Sequence, residues 1–486
     1  MGDLSNMSPG NIETRLHING EWLPGKSGRT FPVFNPTTEE KIVDVHEADE
    51  QDVDLAVQAA AAAFPAWRDL SMFERISKCL KFAELLDRDK NEIAQLEASN
   101  MGIPISSYLP CVSGAIDGIK HATGLAHDIH GETSLNTPGF VTFTLRQPFG
   151  VCAAIIPWNV PIVMWCGKVI PCVVAGNTIV LKSSEKAPLT SLKFAALAAE
   201  AGFPPGVINV LSGFGHTAGH ALSSHMQIRK ISFTGSTRAA KMLMEAAAKS
   251  NMKRVCVETG GKNPAVIFDD ADLEKAAESV AASIKFNSGQ ICVSNSRIYV
   301  QRGVFTKFVD AFKPKFLDIN VGDPRLESTN FGPQVDKTQF DNILRLIDEA
   351  KNEGASLISG GCRTKDKGYY IEPTIFVEVP KSANILKTEV FGPVVAIQPF
   401  DTEDEVITEC NDTQYGLHGT VFTRDVSRAF RLVKAFEAGM ITVNCSSETG
   451  PYDMPFGGWK ESGTGRENGH MGLESYFEVK SVTLKL

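Results

Sequence analysis

The chain has 486 residues, with 48 Lys plus Arg against 57 Asp plus Glu and a formal net charge of −9, so the basic footprint of a nucleic-acid binder is missing. Hydrophobic residues at 43% and charged residues at 22% exclude a fibrous repeat or long disorder, and at roughly 150 residues per domain the length allows about three domains. The 10 cysteines contain no CxxC pair, which points away from a zinc site or a compact disulfide framework and towards a reduced intracellular setting; no metal is expected.

The N-terminal MGDLSNMSPG lacks a basic region followed by an apolar stretch, and Asn6 stands where myristoylation requires Ser or Thr, so neither a secretory leader nor that lipid is expected. The longest apolar runs, such as FGVCAAIIPW, are about half of the roughly 20 residues a membrane helix needs. No membrane partner is expected. The ending Leu484-Lys485-Leu486 resembles a peroxisomal signal except at Leu484, and a cytoplasmic location is favoured.

Residues 11–44 read as short strands and turns, with Asn19-Gly20 in HINGEW as a hairpin signal and Pro32 and Pro36 as punctuation. Residues 52–64 combine acidic residues at the start with an alanine-rich body, and 72–101 carry apolar residues at helical spacing. From 151 to 258 short β-branched runs (VCAAII, NTIVLK, GVINVL, KISFTG, RVCVE) alternate with helical stretches, the pattern of parallel βαβ units. A second alternation runs through NPAVIF, RIYV, IEPTIF, VVAIQPF, HGTVF and MITVN. Residues 129–147 and the tail from Ser475 are strand-like and fit neither unit. Such strands often pair with another element or another subunit.

GFGHTAG, with Gly213, follows the strand VINVL, but its spacing is not GxGxxG and a tight turn explains it as well. In ISFTGSTRAAKMLMEAAA, strand residues lead into Gly235 and Ser236 at the first turn of a long helix. A pyrophosphate would be favoured there, although Ser236 or Thr237 could equally be a helix cap. Lys182 and Glu185 lie just past NTIVLK, where ligands collect in open α/β sheets. A carboxylate on ribose hydroxyls would favour NAD over NADP; the alternative is a solvated surface pair.

Three segments do not read as filler. Cys292 follows Gly289 and Gln290 at the end of an amphipathic helix, as a loop nucleophile or as one more small hydrophobe. Glu258 ends an apolar strand before Gly260 and Gly261, as a charged strand end or a base. In Ile156-Pro157-Trp158-Asn159-Val160-Pro161 the prolines hold Asn159 between strand and helix. Its amide could cap the helix or donate to an oxyanion.

PWNVP, GFG, FTGS, VETGGKNP, FNSGQICVSNSR, EVFGPV and PFGGWKESGTGRENG occur in that order over residues 157–469, and INGEW and FNPTT extend the pattern towards the N-terminus. Together they resemble the aldehyde dehydrogenase superfamily over nearly the whole chain. The resemblance implies an α/β fold with a Rossmann-variant cofactor domain (1–128 and 148–258), an α/β catalytic domain (259–470) and a small β-ribbon (129–147 and 471–486) that builds homodimers or homotetramers. It implies NAD(P)-dependent oxidation of an aldehyde to an acid. Cys292 would be the nucleophile, Asn159 an oxyanion donor, Glu258 the general base, and Lys168 and Glu467 a proton relay. Ile156, Pro157, Trp158, Lys182, Glu185, Gly213, Gly235, Ser236, Glu389 and Phe391 match cofactor contacts. Val160, Gly167 and Gly450 stand where relatives often place aromatic side chains around a substrate tunnel that also includes Phe456, which suggests a bulky, largely apolar aldehyde. Thr259, Trp459 and Asn468 depart from the common Leu, Tyr and Leu, and none of them removes a reacting group.

Overall fold

The computed structural model describes residues 12–446 and 452–486. Two large sheets and a ribbon organise them. In the first sheet five parallel strands lie in the order Arg254–Glu258, Lys230–Thr234, Val151–Ile155, Thr178–Ser183, Ile208–Ser212. The chain starts in the middle strand, winds outward to Ile208–Ser212, then crosses back to continue on the other side. The strand order therefore reverses between Val151–Ile155 and Lys230–Thr234, and in open α/β sheets ligands bind beyond the carboxyl ends of the strands at such a switch point. The predicted hairpin adds Leu16–Ile18 and Glu21–Leu23 as an antiparallel edge, with Asn19 and Gly20 both at positive φ, 54° and 78°, as a two-residue turn of this hand requires.

Alternate strand residues serve opposite faces. Val151, Ala153 and Val180 pack with helix Glu50–Arg68, whereas Cys152, Ala154, Ile179 and Leu181 pack with helices Pro161–Val174, Leu189–Glu200 and Met72–Asn100. The first helix opens with Asp49 and Asp52 in a reciprocal capping box, and Met72–Asn100 opens with Ser71 and Glu74 in another, each satisfying amides that a helix start leaves free.

The second sheet runs Ser356–Ser359, Thr374–Val377, Val394–Phe400, Arg297–Gln301, Pro264–Ile267, His418–Phe422, Met440–Val443, parallel apart from the first strand. All the strands expected in this half are present, and Ser356–Ser359 is an addition. The two segments that fitted neither unit pair with each other: Phe477–Lys485 runs antiparallel to Phe140–Pro148 over nine residue pairs, and Thr133–Ser134 takes the other edge.

One difference from the sequence reading concerns the boundary at 470. Gly463–Thr464, expected within the second unit, hydrogen-bond to Val257 and Glu258 and form the outer edge of the first sheet. A two-residue strand has no periodicity to announce it, and only a partner edge defines it. No described helix is long and apolar enough to cross a membrane.

Candidate active site

The loops at the switch point are built from short-range constraints. Ile156 leaves the strand with its N–H donating to the Lys182 carbonyl at 3.1 Å. Pro161 starts helix Pro161–Val174, and that helix has no side-chain cap. The capping alternative for Asn159 is therefore not what the fold uses: its Nδ2 donates to the Gln290 carbonyl at 3.1 Å. Asn287 Nδ2 donates back to the Asn159 carbonyl at 2.9 Å. The cysteine loop of the second half is thereby fastened to the Asn159 loop of the first.

Helix Leu273–Lys285 delivers that cysteine loop, and Asn287, Ser288 and Gly289 follow it at φ 48°, 53° and 78°. Three successive left-handed residues reverse the chain, at a cost that neighbouring bonds must offset. Gln290 supplies them, donating to Asn287 and Pro333 carbonyls and accepting from the Val335 N–H. At Gly289 a Cβ would lie 2.2 Å from the Gly392 carbonyl, so only glycine lets this loop touch the segment that carries Glu389 and Phe391. The Phe391 ring meets Trp158 edge-on at 5.3 Å.

Cys292 is half-buried, and burial, followed by the negative charges of Glu389 and Glu258, pushes its thiol up to about 12. At rest it is a thiol. Its carbonyl is held by Asn263 Nδ2 at 2.8 Å. Glu258 ends strand Arg254–Glu258 and is 1% exposed. Burial first, and then the Glu467 charge, hold its carboxyl well above the usual range, against opposition from Lys168 and Arg466. Neither Glu258 oxygen has a side-chain hydrogen-bond partner among the described residues. Lys168, fully buried, pairs with Glu467 across 299 residues.

Around the switch point, Ser236 caps helix Thr237–Lys249 through the Ala239 N–H at 3.3 Å, as the capping alternative expected. Gly235 N–H donates to the Glu258 carbonyl at 3.1 Å, tying this turn to the glutamate strand. Lys182 is 2% exposed while the Glu185 side chain is 34% exposed, so the lysine of the pair is buried and the glutamate half-open; the lysine Nζ donates to the Ser183 carbonyl at 2.9 Å and lies 3.8 Å from Glu185. Gly213 packs against Ala48, whose carbonyl would be 3.0 Å from an added Cβ. Glu389 accepts from the Gly261 N–H at 3.0 Å, and burial lifts its carboxyl to about 7.

Of the expected tunnel residues, Gly167 lines a largely apolar cavity of about 50 Å³ together with Val163, Cys166, His121 and Tyr452. Val160 is buried and Phe456 pairs with the Glu467 backbone, both outside that lining. Gly450 lies outside the described residues. Sequence reasoning missed Lys262, a buried lysine that desolvation and Arg297 bring down to about 7 against the opposing Glu389. It also missed Ser232, whose hydroxyl donates to Glu467. Neither position carries a signal in the sequence, because each is defined by what folds against it.

Known proteins are similar to this chain over nearly its whole length. A family profile described as "Aldehyde dehydrogenase family" matches residues 22–482. Aldehyde dehydrogenase 1A1 of Gallus gallus is 46% identical over 477 residues, covering 97% of this chain and 94% of that one. "Aldehyde dehydrogenase, cytosolic 1" of Elephantulus edwardii is 44% identical, covering 97% and 95%. A P. syringae indole-3-acetaldehyde dehydrogenase, solved with NAD+, superposes with a TM-score of 0.96 at 39% identity, covering 98% of each chain. With matches of this extent, the chain belongs to the aldehyde dehydrogenase family.

Proposed function

We propose that this member of the family oxidises a bulky, largely apolar aldehyde to its carboxylic acid with NAD, through a thioester on Cys292. The observation that carries the reading is the contact between two loops from different sheets, Asn159 against Gln290, which brings an amide donor beside the cysteine loop, while Glu258 is close enough to act on the thiol electrostatically. In this reading Glu258 takes the Cys292 proton and the sulfur bonds to the aldehyde carbon. The carbonyl oxygen becomes an alkoxide, held by Asn159 Nδ2 and the Cys292 N–H. When bound, the nicotinamide supplies the acceptor for the hydride that leaves this carbon. Lys168 and Glu467 pass this first proton on, and Glu258, again a carboxylate, takes a proton from the water that attacks the thioester, releasing the acid and the thiolate. The relay carries the second proton away as well, and the thiolate meets the next aldehyde without needing a base.

The residues at the switch point suit a dinucleotide. Ser236 opens a 13-residue helix whose N-terminus favours a pyrophosphate, Lys182 and Glu185 flank the adenosine side, and Glu389 with Phe391 would hold the nicotinamide ribose and ring. The Glu185 carboxylate would repel a 2′-phosphate, which supports NAD over NADP. Retention of Glu258 favours water over coenzyme A as the acyl acceptor. The open space at Gly167, where an added Cβ would meet nothing within 4 Å, supports a bulky substrate, as does the solved relative named for indole-3-acetaldehyde. The ribbon, with Val479 and Leu484 exposed, supports assembly into a homodimer or homotetramer, and ten free cysteines together with the relative named cytosolic support a cytoplasmic setting.

NADH absorbance over a panel of aldehydes, with and without coenzyme A, tests the reading. Cys292→Ala abolishes the signal, and Glu258→Gln leaves an acyl-enzyme detectable by mass. Substantial activity in the first variant, or an unchanged steady state in the second, overturns it, and a clear preference for acetaldehyde over benzaldehyde-like substrates overturns the substrate class.

A further inference from the structure

The strand Lys230–Thr234 points Lys230 and Ser232 to the face that carries helix Pro161–Val174. Ser232 is 2% exposed. Its hydroxyl accepts from Lys168 Nζ at 3.2 Å and donates to Glu467 Oε1 at 2.7 Å, and Lys168 binds the same oxygen. The three groups close a ring on Oε1. Glu467 Oε2 carries no hydrogen bond among the described residues. The Glu467 backbone is fixed as well, by reciprocal bonds with Phe456 at 2.7 and 2.8 Å. Beside the ring a cavity of about 10 Å³ is lined by Ser232, Glu467, Lys230, Cys256 and Ser475, near the lower limit for a single water.

A serine has no local reason to stand here. It caps no helix, and β-propensity favours a branched apolar residue at a fully buried strand position. We propose that Ser232 is a positioning residue for deacylation: by engaging Oε1 it fixes the Glu467 carboxylate so that Oε2 is the atom that takes the proton arriving from Glu258. The proton moves from the Glu258 carboxyl to Glu467 Oε2, leaving Glu258 anionic and ready for the next water, and no oxidant or further reactant is involved. The proposal rests on the reading of Lys168 and Glu467 as a relay. The titratable groups that face Glu467 are Lys168 from the helix, Lys230, Cys256 and Glu258 from the strands, and Tyr476 from its own segment, with Arg466 adjacent in the chain.

The test follows NADH formation in the first turnover and, separately, the decay of the acyl-enzyme by quenched-flow mass measurement. Ser232→Ala leaves the first turnover within about twofold and slows acyl-enzyme decay roughly tenfold, the scale of one hydrogen bond to a charged group. Ser232→Thr restores the decay. Ser232→Cys, a near-isostere and a weak donor, gives the same readout if the alanine variant does not fold. Unchanged decay, a parallel loss in both phases, or failure of threonine to restore decay overturns the proposal. Glu467→Gln separates the two levels: if it leaves decay intact the relay reading falls, whereas slow decay with Glu467→Gln but not with Ser232→Ala removes only the role of Ser232.

Discussion

The glycine pair after Glu258 allows a quantitative test. A Cβ added at Gly261 would sit 2.7 Å from the Cys292 carbonyl oxygen and 2.4 Å from Asn263 Oδ1, well inside the roughly 3.5 Å of an unstrained contact. Neither neighbour yields easily. Asn263 is committed on both sides, donating to the Cys292 and Ser294 carbonyls at 2.8 Å each and accepting from the His418 N–H at 3.1 Å. Gly261→Ala must therefore move the cysteine loop by roughly 0.5–1 Å, and a misplacement of that size costs about 100-fold in rate, or about 2.7 kcal/mol of barrier. Gly260→Ala is the control. Its Cβ would meet Glu389 Oε2 at 2.0 Å, the far end of a side chain that can turn away at the expense of its bond to the Gly261 N–H, so the cysteine loop keeps its position and the cost falls on cofactor binding. The assay is kcat/KM for aldehyde by NADH absorbance beside alkylation of Cys292 and NAD binding by fluorescence. A Gly261→Ala enzyme within threefold of the parent, with unchanged thermal stability, would refute the reasoning.

Two further outcomes depend on pH. With its thiol pushed up to about 12, Cys292 of the cofactor-free protein is alkylated about tenfold faster per pH unit between pH 8 and 11, and a plateau near pH 7–8 would contradict the burial argument. Glu97 is fully buried against Thr190 and Tyr108, and desolvation lifts its carboxyl from 4.5 to about 8. Because the folded value is the higher one, its stabilising contribution is full below pH 4.5 and is lost as pH rises through 8, by about 5 kcal/mol. Glu97→Gln flattens that decline in thermal-unfolding midpoint between pH 5 and 9, and an identical slope in both proteins would remove Glu97 as its source.

Much of this was legible in the sequence for local reasons. Asn19-Gly20 specifies its hairpin, the β-branched runs specify the parallel strands, and Ser236 caps the helix it precedes. Cys292, Glu258 and Asn159 stand out because each interrupts an otherwise regular element. What could not be read is what depends on distant partners. The pairing of Lys168 with Glu467 joins residues 299 apart, and the contact between Glu389 and the Gly261 N–H joins residues 128 apart. The KxxE pattern of Lys182 and Glu185 is that of a surface pair until folding buries the lysine, and Asn159, which could cap the next helix, instead donates from Nδ2 to the Gln290 carbonyl 131 residues away.

The two-residue strand Gly463–Thr464 also sets the timing of assembly. It covers the open edge of Arg254–Glu258, Gly457 closes over the Glu258 carboxylate, and Ser462 Oγ donates to the Gly260 carbonyl from 202 residues downstream. At roughly 5–20 residues per second, a ribosome needs about 10–40 s to supply that segment after Glu258 has emerged. Throughout that interval the strand is an unpaired edge and its carboxyl is open to water, so the nascent chain is open to edge-to-edge association and holds Cys292 well before Glu258 has its final surroundings.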